Sequence, residues 1–272
     1  MGVWTKNDTY NNLKSGTEEL EFSEYVSPRF SENLAFDEWL LARAAERRDG
    51  TETLRIWRPP AYAVVIGRGS KYGDEVNASY CESRGIPVFR RHSGGAAIVT
   101  GPGCWMYSVV LDLIKRPGLR DLQVAHQTVM AQIRLAAQVL APHTVVQVQG
   151  TCDLTIDGRK CSGNSLRVVR DHLLYHGTLL VHFDLPLLAS CLLTPPRQPD
   201  YRQQRPHEQF VANLAGDDAA KGEVLWAQWR QQLQTGWEVA SKQPLTVTTE
   251  DQIAVARLAT EKYESSAWTL AR

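Results

Sequence analysis

The chain has 272 residues, and its 30 Lys+Arg balance 30 Asp+Glu to a net charge of zero. That balance argues against a protein that tracks nucleic-acid backbones, which draws affinity from a basic excess, but it leaves room for a local basic pocket. With 43% hydrophobic and 22% charged residues, the composition is that of a globular protein long enough to bury a sizeable core.

Residues 1–29 are polar and predict an irregular segment, with no apolar signal core and with Lys6 where myristoylation requires Ser or Thr. A helix is predicted from about Asn33 to Arg48, where Phe36, Trp39, Leu40 and Ala44 recur at helical spacing. Leu54 to Trp57 alternates like a half-buried strand closed by Pro59-Pro60, and Ala61 to Ile66 is a short apolar run ended by Gly67. Val88 to Arg91 and Trp105 to Asp112 are further strands. Between Ser93 and Leu111 no residue is charged, a length close to a membrane span. Gly94, Gly95, Gly101, Pro102 and Gly103 break that run, so it reads as strands around glycine turns. Asp121 to Leu140 is the clearest helix, stopped by Pro142. Leu154 to Ile156, Asp157-Gly158 and Arg159-Lys160 spell a tight hairpin. Leu173 to Phe183 alternates again. Leu185 to Leu193 predicts a short helix, 197–221 a polar loop, and Val224 to Ala240 and Glu250 to Tyr263 two last helices. Strands joined mostly through hairpin-length connections predict an α+β fold, a mixed and largely antiparallel β-sheet flanked by helices, in one large domain.

Phosphate-loop, dinucleotide, zinc-protease and serine-hydrolase motifs are all missing. The five cysteines Cys81, Cys104, Cys152, Cys161 and Cys191 form no Cys-x-x-Cys pair, so neither a disulfide framework nor a zinc spacing is present, and a reducing, cytoplasmic setting is expected. Two dense constellations remain. In Arg90-Arg91-His92-Ser93-Gly94-Gly95-Ala96-Ala97, successive amides around a glycine pair make a nest for phosphate or carboxylate. From the residues alone it reads equally as a tight turn with two solvated arginines. The second runs from Asp153 through Lys160, Ser162 and Gly163 to Arg167, and then His176-Gly177-Thr178. A lysine just past a hairpin turn, among small residues, can neutralise charge developing on an acyl or phosphoryl oxygen. It is equally an ordinary exposed lysine, and His176 a satisfied core histidine.

Taken in order, Asn33-Leu-Ala-Phe-Asp-Glu-Trp-Leu-Leu, Trp57-Arg58-Pro59, Ile66-Gly67-Arg68, Glu75-Val76-Asn77, Arg90-Arg91-His-Ser-Gly-Gly, Asp157-Gly-Arg-Lys160-x-Ser-Gly and His176-Gly-Thr-Leu-Leu resemble the lipoate–protein ligase A family over about 30–265. The resemblance implies a catalytic domain of biotin/lipoate ligase type over 30–268, with no small C-terminal accessory domain after it. It implies that Lys160 is the essential lysine, touching the acyl carbonyl and the adenylate phosphate. Arg91, Ser93, Gly94, Gly95, Ala96, Asp153, Ser162, Gly163, Arg167 and His176 would be the substrate- and ATP-binding set. The family's third loop glycine is Ala96 here, its His-Asp after the loop is Thr100-Gly101, and its Asn-Asp-Leu reads Cys152-Asp153-Leu154.

Three functions follow. As a ligase the protein would use ATP, with magnesium, to convert lipoate or octanoate to an acyl-adenylate. A lysine of a lipoyl-acceptor domain, from a 2-oxoacid dehydrogenase complex or a glycine cleavage H-type protein, would then take the acyl group. A separate small accessory subunit is a further expected partner, and neither nucleic acid nor membrane is. As an octanoyltransferase it would carry the acyl group on a cysteine thioester, for which Cys152, eight residues before Lys160, is the candidate; a nearby cation would favour its thiolate. The third function is a non-catalytic lipoate- or biotin-type binder.

Overall fold

The computed structural model describes residues 20–215, 222–239 and 244–271. Residues 1–19, most of the expected irregular segment, lie outside them, as does the Ala240 end of one predicted helix. The elements run β1 (Glu21–Ser23), α1 (Phe30–Arg47), β2 (Thr53–Trp57), β3 (Ala63–Ile66), α2 (Tyr72–Glu75), α3 (Ala78–Ser83), β4 (Val88–Arg90), β5 (Ile98–Thr100), β6 (Cys104–Asp112), α4 (Leu122–Gln138), β7 (Gln147–Gln149), β8 (Asp153–Ile156), β9 (Arg159–Ser162), β10 (Asn164–Val169), β11 (His172–Leu180), α5 (Leu185–Cys191), α6 (His207–Phe210), α7 (Gly222–Gly236), α8 (Thr249–Leu258) and α9 (Ser266–Thr269). Local chemistry sets the boundaries. Asp121 caps α4 by accepting from Gln123 N and Val124 N, and Thr248 with Asp251 forms a capping box on α8. Asp157 (φ 49°) and Gly158 (φ 70°) make the two-residue turn between β8 and β9.

The main sheet has the order β1-β2-β6-β11-β10, and two three-stranded sheets, β4-β3-β5 and β7-β8-β9, flank it. Pairing is antiparallel except for β1 with β2 and β3 with β4. β1 thus orders part of the stretch expected to be irregular. The helix expected over Glu250 to Tyr263 runs that length, its final segment Ala259–Tyr263 widening to a π-helix.

β6 shows how the layers form. Trp105, Tyr107, Val109 and Leu111 face α4 and α7, whose Val129, Ile133, Trp229 and Leu233 complete one core. Met106 and Val110 face the other way, toward α1 and β3. Each large apolar side chain buried on these faces stabilises the fold by about 1.5–3 kcal/mol. β2 was expected to be half-buried, yet all five of its residues are buried, because α1 covers its second face. That second face carries the polar residues: Arg55, Ser108, His176 and Thr178 all lie on the α1 side of the sheet, at the edge of the smaller β3 sheet. No described helix is long and apolar enough to cross a membrane.

Candidate active site

The glycine loop hangs between β4 and β5, and its two arginines are structural rather than solvated. Arg90 and Arg91 are 1% and 7% exposed. Arg91 Nε donates to Gly94 O at 3.0 Å, its Nη2 to Ala96 O at 2.9 Å and its Nη1 to Val65 O at 3.0 Å. Burial pulls its pKa down to about 10, against the charge of Glu75. Ser165 Oγ also donates to Gly94 O, and Ser70 Oγ to Gly95 O. The loop carbonyls are therefore drawn into protein. Among the described residues nothing accepts from the N–H of Gly94, Gly95 or Ala96, whereas Ala97 N donates to buried Glu75. Arg91 thus holds the loop with successive amides unengaged, the groups from which an anion nest is made. Gly95 sits at φ +86°, and its carbonyl would lie 1.9 Å from a Cβ at Gly67, so both positions must be glycine for the loop to cross the end of β3.

Lys160 extends from β9. Its Nζ pairs with Asp153 Oδ1 at 2.8 Å, and Tyr201 Oη donates to Asp153 Oδ2 at 2.7 Å. The lysine stem crosses Gly163, where a Cβ would meet Lys160 Nζ at 3.1 Å. On its other side β9 is held by the segment after α6: Ala212 N donates to Lys160 O at 2.9 Å. The stretch read as a polar loop is thus partly structured, with a 3-10 turn at Asp200–Arg202 and α6 walling the site.

A buried relay links α1, β2 and β11 to the loop. Asp37 Oδ1 accepts from Arg55 Nη1 at 2.7 Å and from Ser108 Oγ at 2.8 Å. Its Oδ2 accepts from His176 Nδ1 at 3.2 Å, which leaves His176 Nε2 to accept the Ser93 hydroxyl at 2.6 Å. Burial alone would raise the Asp37 carboxyl, but Arg55 and His176 outweigh it and hold it at about 2. Asp37 and Arg55 were not foreseen as site residues. The signal was Asn33 and Asp37, two polar residues four apart on the buried face of a helix.

Two clefts open here. Leu34, Val65, Met106, Asn164 and His176 line the first. Leu180, Leu188, Phe210, Arg197, Arg202 and His207 line the second. Ala96, Ala97, Ile98, Lys160, Gly163 and Thr178 line both, so the clefts meet at the lysine and the end of the glycine loop. Of the expected set, Arg91, Gly95, Ala96, Lys160, Gly163 and His176 lie on these walls, and Ser162 lines the second cleft alone. Gly94 adjoins them, with nothing within 4 Å of a Cβ built on it. Ser93 is buried behind His176, and Asp153 behind Lys160. Arg167 lines neither cleft; its Nη1 donates to His92 O at 3.3 Å.

Cys152 does not have the expected character of a nucleophile. Its thiol donates to Asn164 O at 3.3 Å. Burial and Asp153 push it up to about 11, against the pull of Lys160, which leaves almost no thiolate near neutral pH.

Comparison with known proteins agrees with this geometry. The family model "Lipoyl protein ligase A/B catalytic domain" matches residues 29–236. A probable lipoate-protein ligase A of Mycoplasma pneumoniae is 32% identical over 161 residues, 59% of this chain and 45% of that protein. Its counterpart in Mycoplasma genitalium is 28% identical over 92% of this chain and 71% of its own length. In the first of these relatives the match spans less than half of the protein. Among solved structures, the bi-partite lipoate protein ligase of Thermoplasma acidophilum, studied with its E2 lipoyl domain, superposes with a TM-score of 0.74 at 20% identity, covering 93% of this chain and 96% of that one. A lipoate-protein ligase A bound with ATP gives 0.75 at 19% identity, covering 93% and 99%. Those two likenesses bear on the fold, which is that of a lipoate ligase catalytic domain; with the family model spanning most of the sequence, the chain belongs to the lipoyl protein ligase A/B catalytic domain family.

Proposed function

We propose that the protein is a lipoate–protein ligase: it joins lipoate, or octanoate, to AMP at the expense of ATP and then transfers the acyl group to a lysine of a lipoyl-acceptor domain. The observation that carries this reading is the meeting of two clefts at Lys160. The apolar side chains Leu34, Val65, Ile98 and Met106 suit an acyl tail, and the second cleft, with its basic side chains, suits a nucleotide. In the first step a carboxylate oxygen attacks the α-phosphorus and pyrophosphate leaves. Two anions must approach one another, and Lys160, exchanging Asp153 for the substrate oxygens, offsets their repulsion beside the unoccupied loop amides. In the second step the acceptor amine attacks the acyl carbonyl and AMP leaves. Lys160 and the loop amides are again the groups at the carbonyl and phosphate oxygens. Magnesium arrives with the triphosphate as part of the substrate. The acceptor is a lipoyl domain of a 2-oxoacid dehydrogenase complex or an H-type protein, and the relative from Thermoplasma acidophilum was studied with such a domain.

Against cysteine-based octanoyl transfer, Cys152 lines neither cleft, and burial pushes its thiol up to about 11. The test is lipoate-dependent exchange of label between pyrophosphate and ATP, followed by single-turnover lipoylation of an acceptor domain with and without a small companion protein. Exchange that requires lipoate supports the ligase. No exchange, together with an octanoyl adduct that hydroxylamine releases, would overturn it.

A further inference from the structure

The second cleft contains a charge that the protein leaves uncompensated. Arg202 is 3% exposed. Its Nε donates to Arg205 O at 3.0 Å and its guanidinium lies 4.6 Å over the Phe210 ring, but its Nη2 is buried with no hydrogen-bond partner. No carboxylate pairs with it among the described residues. Taking a guanidinium out of water without a counter-ion is costly, so such a group persists where something else offsets the loss. Its surroundings repeat the pattern. Lys160, Arg197, Arg202 and His207 all line this cleft, and no Asp or Glu does. In a chain of zero net charge that concentration is local and one-sided. His207, beside Arg202, is 9% exposed, and burial together with the Arg202 charge pulls its pKa down to about 4.

We propose that Arg202, with His207 beside it and Arg197 at the mouth, anchors the phosphate chain of the nucleotide substrate, while Lys160 serves the reacting end. The proposal rests on the ligase reading and adds to it a specific anchor, outside both constellations legible in the sequence. A planar guanidinium presents two parallel N–H groups to a phosphate, a match an ammonium cannot reproduce.

Calorimetry with ATP, AMP, pyrophosphate and adenosine on the full chain tests this, alongside Arg202→Gln, Arg202→Met and His207→Gln. The wild type should bind ATP more tightly than adenosine. Arg202→Gln should lower ATP affinity by about tenfold or more and remove most of that margin. Adenosine and lipoate affinities should stay within about twofold. Arg202→Met keeps the packing on Phe210 and sheds the unpaired charge. It should melt no lower than the wild type without nucleotide and lose the rise in Tm that ATP produces. ATP affinity unchanged in both Arg202 variants would overturn the anchor while leaving the ligase reading intact. Binding of pyrophosphate but not ATP, abolished by Arg202→Gln, would overturn the assignment to a nucleotide and the ligase reading with it.

Discussion

Lys160 and Asp37 fail in different ways when changed, because one is a partly exposed lysine where the two clefts meet and the other holds a buried guanidinium. Lys160→Ala removes a donor expected to act on the reacting oxygens, and losing one such donor costs about 10²–10³ in rate. Folding should survive, because Lys160 is partly exposed and its partner Asp153 keeps the Tyr201 hydroxyl. Single-turnover acyl transfer with a parallel melting curve separates the two effects; full activity would remove Lys160 from the site. Asp37→Asn instead leaves Arg55 charged and buried, and breaking a buried pair from one side costs about 3–5 kcal/mol. Urea unfolding should show that loss, and an unchanged midpoint would mean the relay is incidental. Cys152→Ser is expected to leave adenylate formation mostly intact. Lys160 and the glycine pair were legible from the sequence because small residues flank a cation at a turn. Arg202 and His207 were not, because they lie in a stretch without periodicity, brought to the site by ties such as Ala212 N to Lys160 O and Tyr201 Oη to Asp153 that a sequence does not show.

At the level of elements, the glycine loop is shaped by what lies on each side of it. A Cβ on Gly67 would strike the Gly95 backbone, whereas one on Gly94 meets nothing within 4 Å. Gly67→Val should therefore displace the loop and lower stability, while Gly94→Val should fold normally and lose ligand affinity by filling the approach to the nest. Calorimetry and melting on the pair give the check: equal affinity for lipoate and ATP in folded Gly94→Val would make the loop a simple turn. The strands and long helices were readable because period-two and helical spacing survive wherever one face is buried, as in β6 and α4. β2 misled for the same reason, since α1 covers the face that alternation assigns to solvent. The arginines misled too, because a sequence does not say that Arg91 turns back on its own loop.

Across the whole molecule, acid should destabilise the protein well before its carboxylates titrate. His92 is buried with its Nε2 unpartnered, and burial pulls its pKa down to about 3, despite Glu38; His207 lies at about 4. Both stand near 6.5 when unfolded. Between those values the unfolded chain binds more protons than the folded one, so stability falls as pH drops from about 6.5 toward 4. Asp37 adds a further loss of the same sign between 3.8 and about 2. Unfolding free energies measured from pH 7 to 4 should decline, and His92→Gln should flatten the decline; a flat wild-type profile would contradict the burial of these rings. Long-range ties also order events in time. Arg90 Nη1 donates to the carbonyls of Gly67, Arg68 and Ser70, while its Nε and Nη2 reach Thr269 O and Trp268 Nε1 donates back to Arg90 O. The strand end that launches the anion nest is thus clasped from behind by residues made 178 positions later. On the ribosome, a nascent chain that has released only its first strands holds that guanidinium by one side, so the strand end is expected to gain its full backing only once translation has delivered Trp268.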